Sequence, residues 1–172
     1  SGHSAFASGN NQESSSESMN FATALILSGE ITGQTELRDL GIYWHATEAE
    51  AIRQYWFDVN GEVFPPAYRQ QCVGMVWGDG GAYGTWWTAN PEEIHAINFL
   101  PLNGGSLHLG RDPAYVRRNL EHLAEANRRF HEIGGFPGDP GEFDRWADVV
   151  LCYMALSDPG PALAQWNRLG ED

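Results

Sequence analysis

Between Thr35 and Val59, apolar residues return at helical spacing, with Leu37, Leu40, Trp44, Ala51 and Tyr55 predicted to share one side of a long helix. Runs of the same kind follow along the chain. Glu13 to Leu27 reads as a helix with Asn11 as its N-cap and Gly29 as its stop. Pro113 to Ile133 places Val116, Leu120, Leu123, Ala124 and Phe130 on one side and is stopped by Gly134-Gly135. Another helix is predicted from Gly141 or Glu142 to Leu156, ended by Asp158-Pro159, and a short one from Ala162 to Leu169. Pro91 to Ile97 is a short helix with Pro91 at its first position, leading into a turn-rich connector from Phe99 to Gly105. The start, Ser1 to Asn11, reads as loop. From Cys72 to Thr88, five glycines are interleaved with Trp77, Tyr83, Trp86 and Trp87, which favours a long structured loop over a regular element. Successive helices with little strand signal predict a mainly α architecture built from helix pairs.

A length of 172 residues with 42% hydrophobic content is enough for one domain with its own core. The net charge of -13 repels phosphate backbones, because sequence-independent nucleic-acid affinity comes from Lys and Arg, so no nucleic-acid partner is expected. No apolar run reaches the roughly 18 residues needed to span a bilayer, and no membrane partner is expected. Cys72 and Cys152 match neither a metal cluster nor a dense disulfide framework, leaving one disulfide or two free buried thiols. Metal sites are not expected: Glu13 and Glu17 lack companion histidines, His3, His108, His122 and His131 are dispersed, and no Asp-rich calcium loop is present.

The string from Gly9 to Glu17, GNNQESSSE, is not chosen by helix propensity, since three consecutive serines are mediocre helix formers. In a helix starting near Asn11, Glu13 and Glu17 would lie four residues apart on one face, where like charges destabilise by about 0.2–0.5 kcal/mol. A shared cleft would account for the pair, with partial burial and mutual repulsion making one carboxyl a useful proton acceptor or donor. The alternative is that Glu13 complements the helix N-terminus and Glu17 is merely solvated. Trp77, Tyr83, Trp86 and Trp87 could stack on apolar sugar faces or equally fill the core. His95 is open to the same two readings, substrate contact or satisfied structural residue.

The stretch GHSAFASGNNQESSSESMN, Gly2 to Asn20, resembles the active-site segment of glycoside hydrolase family 81 endo-β-1,3-glucanases. Met75 to Gly110 resembles that family's next block, and Trp146 to Pro159 its closing helix, in the same order. The resemblance implies an inverting endo-hydrolase of β-1,3-glucan that uses no cofactor, with a catalytic module shaped as an (α/α)6 toroid behind a β-sandwich. By carry-over, Glu13 corresponds to the proposed general base and Glu17 to a second required glutamate. Asn11, Trp77, Tyr83, Trp86, Trp87 and His95 are the candidate substrate contacts.

Inversion needs a base and an acid about 6.5–9.5 Å apart on opposite sides of the scissile bond, and two carboxylates on one helix face cannot supply both. The family's acid is an Asp upstream of the double-glutamate motif, in a segment with no counterpart here. Residues 1–172 are therefore expected to be the C-terminal portion of the helical catalytic domain, with the remaining N-terminal part of the same enzyme as partner. Asp79, in the Trp-rich loop, is the first in-chain suspect should an acid lie within these residues. A non-catalytic β-glucan-binding fragment is the competing expectation. Secretion is inferred from the polymeric substrate alone.

Overall fold

The computed structural model describes residues 7, 9–134 and 143–169, and the fold is mainly helical. Helices α1 (Ser15–Thr32) and α2 (Thr35–Ala51) form an antiparallel hairpin. Gly33, at φ 70°, supplies the left-handed residue that ends α1, and the Gln34 N–H returns to the Gly29 carbonyl at 2.9 Å. The hairpin is tight because glycine sits at its crossing points. A Cβ on Gly29 would lie 2.3 Å from the Arg38 nitrogen, and one on Gly41 would lie 2.7 Å from the Ile26 nitrogen. Helix α2 then loosens into a π-helical turn, Ile52–Trp56, which carries Ile52 and Trp56 into the core.

A short antiparallel sheet lies beside the helices. Strands β1 (Gln12–Glu13), β2 (Met75–Trp77) and β3 (Gly80–Ala82) pair in that order, with Glu13 opposite Met75 and Trp77 opposite Gly80. The chain continues through α3 (Pro91–Ala96), a 3-10 turn (Gly104–Gly110), α4 (Pro113–Gly134), α5 (Ala147–Met154) and α6 (Pro159–Trp166). Met19, Ile52, Trp56, Phe57, Phe99, Val116, Leu123, Val150 and Tyr153 form one core. Phe99 and Tyr153 stack within it with ring centroids 3.9 Å apart. Each such side chain contributes about 1.5–3 kcal/mol by leaving water.

Several expectations change. Helix α1 starts at Ser15, not near Asn11, because Ser14 adopts φ 75° and turns the chain out of a strand before the helix begins. Gly29 does not stop α1; it is the buried residue on which α2 crosses. The expected apolar face of α2 is not the one buried: Leu40, Trp44 and Tyr55 are exposed, while Gly41, Ala49, Ile52 and Trp56 point inward. Glycine at position 41 carries no hydropathy signal, so the closest contact of the hairpin was invisible to periodicity. Cys72 to Thr88 contains a strand hairpin, where only loop was expected. On α4, Val116, Leu120 and Leu123 are buried as predicted, but Ala124 is exposed. Cys72 is a free buried thiol and Cys152 a free exposed one, so no disulfide links them. Gly135, Gly141 and Glu142, invoked as helix boundaries, lie outside the described residues, as does His3.

Candidate active site

The three serines that made the motif odd are the parts that fix it in place. Ser15 and Ser16 are buried. The Asn98 side-chain oxygen accepts the Ser15 N–H and the Ser15 hydroxyl, each at 3.0 Å. Asn98, itself buried, donates its amide to the Val73 and Ile94 carbonyls. The hydroxyls of Ser14 and Ser16 both donate to the Ile97 carbonyl, at 3.1 and 2.9 Å. The first turn of α1 is thus capped by the Asn98 side chain, which accepts the Ser15 N–H, where a local N-cap side chain would ordinarily serve. Serine is poor in a helix interior because it bonds elsewhere, and here that tendency holds the turn in register.

The left-handed Ser14 separates the two glutamates. Glu17 lies in the first turn of α1, exposed, where its charge complements the positive helix end. Glu13 lies outside the helix, in β1, and its carboxylate reaches the Trp-rich loop. The Trp86 backbone N–H donates to Glu13 Oε2 at 3.2 Å, and the Trp87 indole Nε1–H donates to Glu13 Oε1 at 3.0 Å. The expected side-by-side pair on one helix face is therefore corrected to a strand residue and a helix residue on either side of a reversed backbone.

The loop that grips Glu13 is itself tied down. The Thr85 hydroxyl accepts the Thr88 N–H at 3.0 Å and donates to the Thr88 carbonyl at 3.1 Å, closing a tight turn with Trp86 and Trp87 at its tip. The Thr88 hydroxyl accepts the Asn90 N–H and donates to Glu93, and Asn90 caps α3 by accepting the Glu92 N–H at 2.8 Å. Trp86 and Trp87 remain more than half exposed, at 58% and 53%. Trp86 meets Trp77 edge-on with centroids 5.6 Å apart, and Trp87 meets Trp146 at 5.6 Å, tilted by 41°. Four indoles therefore form two contacting pairs, with the Glu13 carboxylate bonded to the neighbouring residues Trp86 and Trp87. Asn11 directly precedes β1 and is partly buried.

Tyr83 and His95 are placed differently. His95 is fully buried, and its Nε2 lies 3.0 Å from the Tyr83 hydroxyl. Burial, with repulsion from His122 added and Asn119 opposing, pushes the His95 pKa down to about 3, so the ring is neutral. Burial raises the Tyr83 pKa, so the phenol stays protonated and donates to that nitrogen. The pair reads as a buried structural contact beneath the loop, made through Nε2 alone, with Nδ1 buried and without a hydrogen-bond partner among the described residues. Tyr83 also lines a recess of about 630 Å³ with Gln70, His122, Glu125 and Phe130, and Trp77 lines another of about 480 Å³ with Tyr55, Phe64 and Tyr68. Neither Glu13 nor Glu17 lines either recess; Glu17 is exposed and Glu13 partly buried. Asp79 sits exposed at the tip of the β2–β3 hairpin. Among the described residues no group of three or more His, Cys, Asp or Glu side chains could hold a metal.

Trp146 and Glu92 escaped the sequence reading. Trp146 looked like part of a closing helix, and nothing in an acidic first turn distinguishes the buried Glu92 from the half-buried Glu93.

A carboxylate bonded to indole and flanked by exposed aromatic planes, on a helical scaffold, is an arrangement suited to carbohydrate. Residues 1–168 match the family described as the glycosyl hydrolase family 81 C-terminal domain, and the chain belongs to that family. It is 45% identical to a glucan endo-1,3-beta-D-glucosidase of Thermobifida fusca, over 97% of this chain and 21% of the relative. A protein of the same name from Acetivibrio thermocellus is 44% identical over 98% of this chain and 20% of its own length. A solved mutant of a glycoside hydrolase family 81 protein from Clostridium thermocellum superposes with a TM-score of 0.83 at 43% identity, covering 96% of this chain and 22% of that one. The chain spans about a fifth of the length of these relatives.

Proposed function

We propose that this chain supplies the general-base half of an endo-β-1,3-glucanase site, with Glu13 as base in an inverting hydrolysis. The observation that carries the reading is the Glu13 carboxylate held by the Trp86 N–H and the Trp87 indole on an open aromatic face. One donor on each oxygen fixes the carboxylate plane while leaving lone pairs for a water. That water attacks the anomeric carbon on the face opposite the departing oxygen and gives its proton to Glu13. An acid on the other side protonates the leaving oxygen, and the glucosyl configuration inverts. Trp86 and Trp87 present ring planes on which sugar faces stack, and Glu17 supplies a second negative charge beside the helix start.

The acid and the opposite wall of the cleft belong to the remaining part of a longer enzyme, whose catalytic domain is the (α/α)6 toroid. Phe21, Leu27, Ile31, Leu40, Tyr43 and Trp44 are exposed along the α1–α2 hairpin, an apolar surface for further helices to cover. The substrate is a polymer, which places the enzyme outside the cell. Two experiments on the longer enzyme test this. NMR of the first product from laminarin should show the α-anomer at the new reducing end. Azide should partly restore bond cleavage to Glu13→Gln, because an anion needs no deprotonation. A β-anomeric first product removes the inverting role, and binding without cleavage by the longer enzyme would leave only a glucan-binding module.

A further inference from the structure

Glu92 is fully buried in the first turn of α3, and it is bonded to backbone. Its Oε1 accepts the Trp146 N–H at 2.9 Å and its Oε2 the Asp144 N–H at 3.2 Å. Burial raises its pKa, opposed by the N–H groups of Trp146, Arg145 and Asp144. A buried carboxylate is costly to keep, so an apolar residue would serve better if this position only filled space. What the carboxylate does is accept the Asp144 and Trp146 N–H groups at the entrance to α5, and so fix the backbone that carries Trp146. The indole of Trp146 lies against that of Trp87, and the Trp87 Nε1–H holds Glu13 Oε1.

We propose that Glu92 is a positioning residue for Glu13, acting through the 144–146 backbone, Trp146 and Trp87 to set where the Glu13 carboxylate stands. That this placement matters for glucan hydrolysis rests on the reading of Glu13 as general base; the placement itself does not. Misplacing a reacting group by about 1 Å costs about 100-fold in rate. Glu92→Gln exchanges one acceptor oxygen for an amide that cannot accept an N–H, so one of the two bonds to the 144–146 backbone is lost.

The test uses the longer enzyme that contains these residues, with indole 15N labelling and the Trp87 Nε1–H resonance assigned by Trp87→Phe. Glu13→Gln should move that resonance, because the amide replaces the charged acceptor. Glu92→Gln should move it too, and should lower kcat on laminarin by about 10- to 100-fold while KM changes far less. A Glu92→Gln enzyme that is less heat-stable but has the wild-type Trp87 resonance and kcat overturns the proposal, since Glu92 is then only structural. Should Glu92→Gln fail to fold, Trp146→Leu breaks the relay one step later and leaves the Glu92 bonds intact. Because losing the Trp146 ring current moves the Trp87 resonance by itself, turnover decides here: kcat on laminarin must fall while KM changes far less, and an unchanged kcat refutes the relay. If Glu13→Gln keeps full activity while both Trp87 shifts occur, the general-base reading falls and the positioning role stands.

Discussion

His95 allows a quantitative prediction about acid stability. The folded protein holds this imidazole neutral, with a pKa near 3, chiefly because it is buried, whereas the unfolded chain returns it to about 6.5. A depressed folded pKa gives stability that is complete above the unfolded value and is lost as pH falls towards the folded value. From neutrality to about pH 4.5 the unfolded state gains a proton that the folded state refuses, over about two pH units below 6.5. At about 1.36 kcal/mol per unit, the loss from this residue is about 2.7 kcal/mol. His95→Gln removes the titration and keeps an oxygen that can accept the Tyr83 hydroxyl. The variant will start less stable at pH 7, so the quantity to compare is the change with pH. Urea unfolding of both proteins at pH 7 and about 4.5 should show the wild type losing about 2.7 kcal/mol more than the variant. His108, pushed down to about 4 by burial, contributes equally to both proteins and cancels. Equal losses would show that His95 is not held neutral in the fold, and the structural reading of the Tyr83–His95 pair would fail with it.

Three further outcomes follow from other parts of the fold. Gly41→Ala should destabilise by about 1–3 kcal/mol in thermal or urea unfolding, because its Cβ must displace the Ile26 backbone; an unchanged midpoint would mean the hairpin is looser than described. Asp58→Asn should cost about 1–3 kcal/mol at pH 7, because the carboxylate accepts the N–H groups of Glu62, Val63 and Phe64. Burial raises the Asp58 pKa, but those bonds and one from Gly61 outweigh it and lower it overall. Its contribution is therefore present above the unfolded pKa and disappears as pH falls through the folded one, so the stability curves of the wild type and the Asp58→Asn variant should converge in acid. Trp86→Ala in the longer enzyme should weaken laminarin affinity more than it lowers the melting temperature, whereas unchanged affinity with a large thermal loss would mark Trp86 as a packing residue.

The parts of the structure that were legible are those where one local rule governs the outcome. Pro91 at the first position of α3 and the Val116–Leu120–Leu123 face of α4 were readable because helix entry and burial follow from residue type and spacing. The hairpin crossing was not, since Gly29 and Gly41 act by having no side chain. The helix start at Ser15 was misread because Asn11 and Glu13 looked like a local cap. The cap is tertiary: the Asn98 side chain accepts the Ser15 N–H, and the Ile97 carbonyl takes the Ser16 hydroxyl, across more than eighty residues of sequence. The same long-range clamp puts Glu13 on a strand. At the site, the sequence singled out Glu13, Trp86 and Trp87, which the fold brings within hydrogen-bond distance. It could not separate His95 from them, because a buried imidazole and a ligand-facing one look the same in a string. Trp146 required the fold, since its ring contact with Trp87 and its N–H bond to the buried Glu92 both join residues far apart in the sequence.

The most direct test of Glu13 as general base is the turnover of Glu13→Gln in the longer enzyme, measured as reducing ends released from laminarin beside the wild type and the 172 residues alone. Gln keeps the outline of the side chain but cannot take a proton from water. The variant should fold normally and lose about 10²–10⁴-fold in kcat, and the isolated chain should release nothing measurable. A Glu13→Gln enzyme with wild-type turnover would contradict the general-base assignment. Robust hydrolysis by the isolated chain would place an acid within it, with Asp79 the first residue to replace.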